Sequence, residues 1–354
     1  MADAHVSLTM AGRRVGPGQP VYVIAEMSAN HHQDFEQAVR LIRAAREAGA
    51  DAVKLQTYTA DTLTLDSRKD PFQIRGGTLW DGRTLHELYR EACMPWEWHA
   101  PLQRVAADEG LMLFSTAYDV SAVAYLESLE VPLHKVASFE LVDIPLIERM
   151  AQTGKPMILS TGMASLEEIE EAVTAARRAG ARDLALLKCT SAYPAPFDEM
   201  NLKGMGLLAE RFGVPVGLSD HTMGIAVPAA AVALGACIVE KHFTLSRAVP
   251  GPDSAFSLEP HELKAMVDAI RAVERAVGQA VIGPSDREAA SRVFRRSLFV
   301  ARDVRAGELF TAANVRSVRP AHGLHTRHLE QVLGARAARD IEAGTPLTWD
   351  LITR

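Results

Sequence analysis

Eight short apolar segments alternate with amphipathic helical patterns between residues 21 and 278. The apolar segments have the length of buried strands, and the stretches between them carry apolar residues at helical spacing. Such alternation is typical of a parallel α/β sheet. Eight repeats favour a closed (β/α)₈ TIM barrel, although an open doubly wound sheet also satisfies the pattern. The predicted strands are Val21–Ala25, Ala52–Gln56, Leu111–Ser115, Leu133–Ala137, Pro156–Ser160, Leu184–Lys188, Val214–Leu218 and Cys237–Glu240.

Capping signals mark several of the intervening helices. Ser165 and Glu168 have the spacing of a capping box, and Gly180 supplies a stop signal for the helix between them. Asp143 is placed to cap a short helix that starts at the next residue. A longer helix is predicted over Glu259–Val277, where apolar residues fall on one face.

One long segment, Tyr58–Trp98, interrupts this alternation. It is rich in Thr, Asp, Gly and Trp and is longer than the usual strand-to-helix loop, and such insertions are often functional. In a barrel it is expected over the C-terminal face, where active sites are built. Its tryptophans Trp80, Trp96 and Trp98 are either anchors of the core or an interface, or they stack on a sugar.

The pattern changes after the eighth repeat. Residues 279–296 are predicted to form a linker between a barrel domain, residues 1–278, and a small domain, residues 297–354. Within the small domain Ala301–Gly307 nearly repeats as Ala338–Gly344. Short apolar segments separated by glycine residues favour a β-rich domain. A domain of this size is expected to pack on a partner, because it is too small to enclose a large pocket alone.

Composition excludes several classes of protein. Of the 354 residues 48% are hydrophobic and 23% charged, which is ordinary for a globular enzyme, and the net charge of −6 gives no reason to expect nucleic acid or an anionic membrane as partner. Three cysteines without a CxxC pair fit a reducing compartment, so we expect a cytoplasmic protein. Residues 1–20 lack an apolar core, so we expect no secretory signal. The longest apolar stretch, Gly224–Val239, contains Pro228 and Gly235 and favours buried structure over a membrane span.

Polar residues gather at the carboxyl ends of the predicted strands. A single polar residue at a strand end often marks only the point where the chain leaves the sheet and enters solvent. Eight segments that send polar groups to one rim of a barrel instead predict an active site there. The residues are Glu26, Lys54, Gln56, Thr116, Lys135, Ser138, Thr161, Lys188, Thr190, Ser191, Ser219, Asp220, His221, Glu240, Lys241 and His242.

Two histidines, His221 and His242, follow consecutive strands and are therefore expected side by side. With Glu26 and Asp220 near, two imidazoles suit a divalent metal of the Mn²⁺, Fe²⁺ or Zn²⁺ type. The alternative is a pair of hydrogen-bonded histidines without a metal.

Lys54, Lys135 and Lys188 bring positive charge to the same rim. Together with neighbouring hydroxyls they suggest a cradle for phosphate and carboxylate groups. The segment Thr161–Met163 adds backbone N–H groups at the start of the helix capped by Ser165. One lysine could instead form a Schiff base, which requires a desolvated amine. The chain contains no GxGxxG or Walker motif, so nucleotide binding is not expected.

These motifs, in this order, resemble those of the sialic acid synthase family along nearly the whole chain, and the C-terminal domain resembles the family's antifreeze-like (SAF) module. The matching segments are Ile24–His31, Ala48–Gln56, Lys135–Ser138, Leu159–Met163, Cys189–Pro194, Gly217–Thr222 and Glu240–Phe243.

Within the family the chain most resembles the branch that makes pseudaminic acid. Asn30–Asp34 and the insertion segments Leu79–Leu85 and Met94–Trp98 carry this likeness, whereas members that make N-acetylneuraminate usually have Gly in place of Gln33. The implied reaction joins phosphoenolpyruvate, 2,4-diacetamido-2,4,6-trideoxy-L-altrose and water, and gives pseudaminic acid and phosphate. Synthesis of legionaminic acid or N-acetylneuraminate is the alternative.

The resemblance implies a role for each matching residue. His221 and His242 would hold Mn²⁺, with Mg²⁺ or Co²⁺ as alternatives, and Glu26 would orient a hydroxyl and assist proton transfer. In the family, the SAF module of one protomer reaches over the barrel of the other, which implies a domain-swapped homodimer. Substrate-binding roles are implied for Lys54, Gln56, Thr116, Lys135, Ser138, Thr161, Ser191, Tyr193, Ser219, Asp220 and Arg319.

One departure from the family's sequence pattern lies beside Arg319. This residue matches the family's arginine that contacts the acetamido group of the sugar. The family's usual Gly-x-Gly after this Arg-Pro is Ala321-His322-Gly323 here.

Two competing functions have different requirements. A barrel aldolase that uses pyruvate would need one lysine far more buried than the others and no phosphate site. A non-catalytic sugar-binding protein, in which the SAF module is the working part, leaves the polar rim unexplained.

Overall fold

The computed structural model of the chain describes residues 7–353 and divides into two compact units, one ending at Gly278 and the other beginning at Gln279. The prediction that the N-terminus holds no secretory signal falls partly on residues 1–6, which lie outside the described residues. Among the helices of residues 7–353, none has the length and apolar character needed to cross a membrane.

The first unit is a closed barrel of eight parallel strands, which confirms the barrel over the open sheet. The strands pair in chain order, and the last closes on the first, with His242 opposite Glu26. A short antiparallel hairpin precedes the barrel. The hairpin strands are β1 (Leu8–Met10) and β2 (Arg13–Val15), and the barrel strands are β3 (Tyr22–Glu26), β4 (Ala52–Thr57), β5 (Met112–Ala117), β6 (His134–Val136), β7 (Met157–Ser160), β8 (Leu184–Cys189), β9 (Val216–Asp220) and β10 (Ile238–His242).

The helices of this unit include those predicted from capping signals. Ser165 and Glu168 form the capping box of α7, and the Asp143 side chain accepts the backbone N–H of Leu146 at the start of α6. The helices are α1 (Phe35–Ala48), α2 (Ala60–Leu63), α3 (Leu85–Ala92), α4 (His99–Asp108), α5 (Val120–Ser128), α6 (Ile144–Ala151), α7 (Leu166–Arg178), α8 (Gly204–Phe212), α9 (Ala226–Ala233) and α10 (Pro260–Val277).

Alternation along the strands separates two apolar clusters. Residues such as Val23 and Leu55 pack outward against the helices, whereas Ile24 and Phe114 belong to a second cluster formed by the opposite strand positions. The hairpin joins this second cluster with three buried side chains, which the sequence analysis did not predict. These are Leu8, Met10 and Val15.

Close strand packing in the barrel depends on Gly217 of β9. A Cβ at this position would overlap the carbonyl oxygen of Ile238 and lie 2.8 Å from Cδ2 of Leu187. We therefore expect Gly217→Ala to lower the free energy of unfolding by about 1–3 kcal/mol, the usual cost of overpacking. Urea unfolding of this variant checks the prediction. Gly206→Ala on α8, where a Cβ meets no atom within 4 Å, is the control and should not destabilise the protein; equal midpoints for the two variants would contradict the packing argument.

The second unit begins with the exposed segment 279–296, which contains the short helix α11 (Asp286–Ala289), and continues into a small β-rich domain. Its core includes Leu298, Phe310 and Leu347, all fully buried. The strands are β11 (Ser297–Val300), β12 (Val315–Val318), β13 (Arg336–Ala337) and β14 (Ile352–Thr353), and the domain also contains the helix α12 (Leu329–Val332).

The two sequence repeats of this domain pair with each other. Val304 and Ile341, which occupy equivalent positions, exchange backbone hydrogen bonds of 2.9 and 2.8 Å. The Asp303 carboxylate accepts the N–H of Ala343, and the equivalent Asp340 accepts that of Ala306, both at 2.8 Å. The internal repeat therefore builds a locally two-fold arrangement.

Candidate active site

A cavity of about 480 Å³ lies at the carboxyl ends of the barrel strands. Much of its polar lining comes from inward-facing strand positions and from the residue after β9, so a large part of the predicted rim of polar groups is brought together. We call this lining the floor of the cavity. The floor residues are Lys54, Lys135, Ser160, Ser219, His221, Glu240 and His242.

Lys54 lies between two carboxylates. Its Nζ is 2.7 Å from Glu26 Oε2 and 3.6 Å from Glu240 Oε1, and it donates to Thr116 Oγ1 at 3.2 Å. Gln56 donates to the other oxygen of Glu26 at 3.0 Å. Four predicted site residues thus form one buried network around the ammonium group of Lys54.

Lys135 forms a second cationic centre beside the first. Its Nζ donates to Ser160 Oγ at 2.7 Å and lies 4.0 Å from Glu240 Oε2, while Ser219 donates to the other Glu240 oxygen at 3.2 Å. Glu240 therefore bridges the two lysines. A bound anion would meet two ammonium groups and two hydroxyl groups here.

Burial and mutual attraction set the protonation of this cluster. Burial alone would lower the pKa of Lys54, but Glu240 and Glu26 raise it above its ordinary value, whereas burial lowers the pKa of Lys135. Burial would raise the pKa of Glu240, but Lys135 and Lys54 bring it below its ordinary value. Burial raises the pKa of Glu26. Glu240 is thus the counter-ion of the lysines, and Glu26 is the carboxyl group that takes up a proton more readily.

Two hydroxyl groups converge on Gly162, at the turn after β7. Its N–H donates to Ser138 Oγ at 3.1 Å, and a Cβ on Gly162 would overlap Ser191 Oγ and lie 2.7 Å from Ser138 Oγ. Only glycine leaves the two hydroxyl groups this close to a backbone N–H, which is the composition of an anion site.

The two histidines lie next to each other, with ring centroids 5.3 Å apart. His221 Nδ1 is 2.9 Å from the carbonyl oxygen of Thr190, so in the neutral ring this nitrogen carries the hydrogen and Nε2 is left with its lone pair. His242 Nδ1 is buried and has no hydrogen-bond partner within the described part of the chain, and burial lowers the pKa of His242 well below its ordinary value. His242 is therefore neutral and presents a lone pair. Burial would lower the pKa of His221, but Cys189 and the Thr190 carbonyl raise it above its ordinary value, so a metal ion would have to displace a proton from this ring.

This donor set fits a divalent cation with an open coordination sphere. A metal-binding histidine usually donates its other N–H to a carbonyl or carboxylate, as His221 does to Thr190. Over residues 7–353, however, no group of three or more His, Cys, Asp or Glu side chains is arranged to hold a metal ion. Further ligands would have to be oxygen atoms of substrate or water.

Aromatic side chains surround the histidines. Tyr193 lies 4.4 Å from His221 and 5.1 Å from Phe256 between ring centroids, and Trp80 lies 5.8 Å from Tyr193. Trp80 lines the cavity and donates its indole N–H to the carbonyl oxygen of Pro252 at 2.9 Å.

The two other tryptophans of the insertion are packing anchors. Trp96 stacks on Tyr125 with ring centroids 4.9 Å apart, and Trp98 packs edge-on against His31 and Phe35. Of the three tryptophans, Trp80 is therefore the one placed to meet a ligand in this cavity.

Several of the predicted residues lie outside this group. Asp220 is fully buried in an ion pair with Lys241, among outward-facing strand positions. Thr161 donates to the carbonyl oxygen of Leu187 at 3.1 Å and, with Lys188, lines a separate open groove of about 780 Å³. Arg319 belongs to the second unit and is exposed there.

Two carboxyl groups that were not predicted from the sequence also line the cavity. Asp253 accepts the N–H of Ala29 at 3.2 Å and bonds Ser28 Oγ. Glu140 has one buried carboxyl oxygen without a partner, and burial raises its pKa to about 7. Glu140 could have been predicted as a site residue, since it follows Ser138 in the same loop at the end of a strand. Asp253 lies in an irregular loop after β10, where no periodicity points to it.

Known proteins resemble the chain over nearly its full length. It is 46% identical over 327 residues to a pseudaminic acid synthase of Campylobacter jejuni subsp. jejuni serotype O:23/36 (strain 81-176), an alignment that covers 92% of this chain and 95% of that protein. It is 36% identical over 342 residues to the N,N'-diacetyllegionaminic acid synthase of Legionella pneumophila subsp. pneumophila (strain Philadelphia 1), which covers 95% of this chain and 96% of the relative.

A solved structure shares the fold. The N-acetylneuraminic acid (sialic acid) synthetase from Leptospira borgpetersenii serovar Hardjo-bovis, in complex with citrate, superposes with a TM-score of 0.73 at 30% identity, covering 82% of this chain and 96% of that one. The model of the SAF domain matches residues 295–353, and the model of the NeuB family matches residues 41–282. The chain thus belongs to the NeuB family and ends in a SAF domain.

Proposed function

We propose that this protein is a nonulosonic acid synthase that condenses phosphoenolpyruvate with 2,4-diacetamido-2,4,6-trideoxy-L-altrose and water, releasing pseudaminic acid and phosphate. The observation that carries the proposal is the floor of the cavity, where Lys54 and Lys135 lie beside the His221–His242 pair. The choice of sugar rests on similarity, since the pseudaminic acid synthase is 46% identical and the legionaminic acid synthase 36%.

The floor suits phosphoenolpyruvate, a small molecule with a phosphate and a carboxylate. Lys54, Lys135, Ser160 and Ser219 would donate to its oxygen atoms, with the Gly162 cluster as a further anion site. Glu240 would balance the two ammonium groups when the cavity is empty.

In the reaction, C3 of phosphoenolpyruvate forms a bond to the aldehyde carbon of the open-chain sugar, and the aldehyde oxygen gains a proton. Water then adds at C2, and the bond from C2 to the phosphate oxygen breaks as C2 becomes the keto group. Of the two protons of the water, one ends on the former aldehyde oxygen and the other on the departing phosphate. Glu26 would hold or move a proton near the aldehyde, because burial raises its pKa and Gln56 fixes its carboxyl group. Glu140 and Asp253 would accept hydrogen bonds from sugar hydroxyl or amide groups.

A divalent cation, for which we propose Mn²⁺ with Mg²⁺ or Co²⁺ as alternatives, would be held by His221 and His242. It would supply Lewis-acid polarisation of the aldehyde. The chain's own contribution is to keep His242 neutral through burial and to orient the His221 ring through the Thr190 carbonyl.

Phosphate release tests the proposal. The protein should release phosphate from phosphoenolpyruvate when supplied with a 2,4-diacetamido-2,4,6-trideoxyhexose, and more slowly with 2-acetamido hexoses. Phosphate release with no member of such a panel, together with aldol products from pyruvate, would favour the barrel aldolase. Sugar binding without any turnover would favour the non-catalytic alternative.

We also propose that the site is completed in trans within a domain-swapped homodimer. The exposed segment 279–296 carries apolar side chains in water, among them Ile282 and Phe294, which a partner subunit would cover. At about 3.3–3.6 Å per residue, a linker of this length can reach a neighbouring barrel. Arg319 would then meet the acetamido group of a sugar in the partner's cavity.

Mixing two inactive variants tests this arrangement. We expect Arg319→Ala and Glu26→Ala each to lose most activity, and the mixture to regain up to about a quarter of it, because one mixed dimer site in two carries neither lesion. The readout is phosphate release after subunit exchange has been shown with differently tagged chains. Continued inactivity after exchange would contradict a shared site.

The three cysteines, Cys93, Cys189 and Cys237, are all free. Free thiols are typical of a reducing compartment, and we therefore propose a cytoplasmic location.

A further inference from the structure

The cavity has an apolar wall in addition to its charged floor, and this wall comes from the insertion between β4 and α4. We call it the insertion wall. It consists of Leu63, Ile74, Trp80, Leu85, Leu88 and Tyr89, all of which line the cavity. The aliphatic members offer no hydrogen-bond donor or acceptor, and the indole N–H of Trp80 is already bonded to Pro252, which leaves the hydroxyl of Tyr89 as the polar group of the wall.

Helix α3 contributes part of the insertion wall, because the spacing of its apolar residues places them on one face. Leu85, Leu88, Tyr89 and Ala92 stand at positions i, i+3, i+4 and i+7, which fall on one helical face, and all four line the cavity. An apolar face of this kind normally packs into a protein core. Here much of it lines a cavity, which indicates that a ligand covers it.

The insertion wall is held in place before any ligand arrives. Thr84 and Glu87 form a capping box at the start of α3, and Gln33 donates to the carbonyl oxygen of Glu91 at 3.0 Å near its end. Ile74 donates to the carbonyl oxygen of Arg83 at 2.9 Å. Fixed supports of this kind pre-organise a binding surface.

We propose that the insertion wall binds the non-reacting end of the aldose and selects a terminal methyl group and acyl methyl groups over free hydroxyl groups. This inference rests on the proposed function. The aldehyde must face C3 of phosphoenolpyruvate at the floor, so the opposite end of the sugar is directed away from the lysines. A hydroxyl group placed against Leu85 or Ile74 would lose its water and find no partner.

The test compares two aldoses that differ only at C6, the 6-deoxy sugar of the proposed reaction and its 6-hydroxy analogue. We expect wild-type kcat/KM to favour the 6-deoxy sugar roughly 10–100-fold, since an apolar pocket discriminates against an added hydroxyl only about 100-fold at best. Leu85→Ser and Ile74→Thr should each reduce this ratio several-fold and leave the KM for phosphoenolpyruvate unchanged.

Leu65→Ser is the matched control, because Leu65 lies in the same insertion but is 66% exposed and does not line the cavity. It should leave the ratio unchanged. Leu85→Ala, which keeps a good helix former, replaces Leu85→Ser if circular dichroism shows that the serine variant does not fold.

The outcomes separate the two proposals. Equal kcat/KM for both aldoses in the wild-type protein would overturn the inference while the synthase function stands. A ratio that stays at the wild-type value in both the Leu85 and the Ile74 variants would also overturn it. Absence of phosphate release with either aldose would instead overturn the proposed function.

Discussion

Removal of divalent cations will abolish product formation by this protein, and Mn²⁺ will restore it. His221→Ala and His242→Ala should each lower kcat by about 10³-fold or more, because Lewis-acid stabilisation is worth several kcal/mol and each 1.36 kcal/mol is tenfold in rate. The two imidazoles lie side by side in a buried site, and His242 Nδ1 has no hydrogen-bond partner among residues 7–353.

Two readouts check this prediction: phosphate release, and the metal bound per chain after dialysis. The control is His261→Ala, since His261 lies on the barrel unit but its side chain is 75% exposed. That variant should retain both metal and activity. Full activity of a metal-free double variant of His221 and His242 would contradict the metal site.

The second large effect is expected at Lys135. Lys135→Ala should raise the KM for phosphoenolpyruvate about 10–150-fold, since the loss of one charge-assisted hydrogen bond costs roughly 1.5–3 kcal/mol. Lys54→Ala should behave similarly and should also disturb Glu26, which lies 2.7 Å from its ammonium group. Steady-state kinetics with the aldose at saturation measures both effects.

Lys264→Ala is the control for these lysines, because Lys264 is paired with Asp268 on the exposed face of α10. It should leave the KM unchanged. If borohydride with pyruvate traps a covalent adduct on Lys135 or Lys54, a Schiff-base aldolase is the better explanation.

The barrel was predictable because its signal is repeated eight times and needs no exact boundary. Predicted strand ends differ from the observed ends by up to two residues, as in β9, which runs to Asp220 instead of ending at Leu218. Such an error hardly affects the choice of fold. It does affect the choice of site residues, because alternate strand positions point to opposite faces.

Asp220 illustrates the consequence. With β9 ending at Leu218, Ser219 and Asp220 would both lie in the rim loop. With β9 ending at Asp220, Ser219 shares the inward face with Gly217, and Asp220 shares the outward face with Leu218, where it pairs with Lys241. The same alternation sends Lys188 of β8 to the separate groove instead of the floor.

The parts of the site that come from loops could not be predicted from the sequence, for a different reason. Glu140, Asp253 and the apolar wall from the Tyr58–Trp98 insertion are positioned by tertiary contacts, such as the bond from Trp80 to Pro252. Neither propensity nor periodicity encodes such contacts. The length of the insertion predicted that it is functional, but the sequence did not indicate which of its residues face the cavity.

The measurement that tests the central claim most directly is carbon NMR of the protein with [3-¹³C]phosphoenolpyruvate, Mn²⁺ and 2,4-diacetamido-2,4,6-trideoxy-L-altrose. Our account predicts that the label moves into the C3 methylene of a nine-carbon 2-keto acid, with one phosphate released per product. Persistence of the phosphoenolpyruvate signal under these conditions, with label from [3-¹³C]pyruvate entering a product instead, would contradict it.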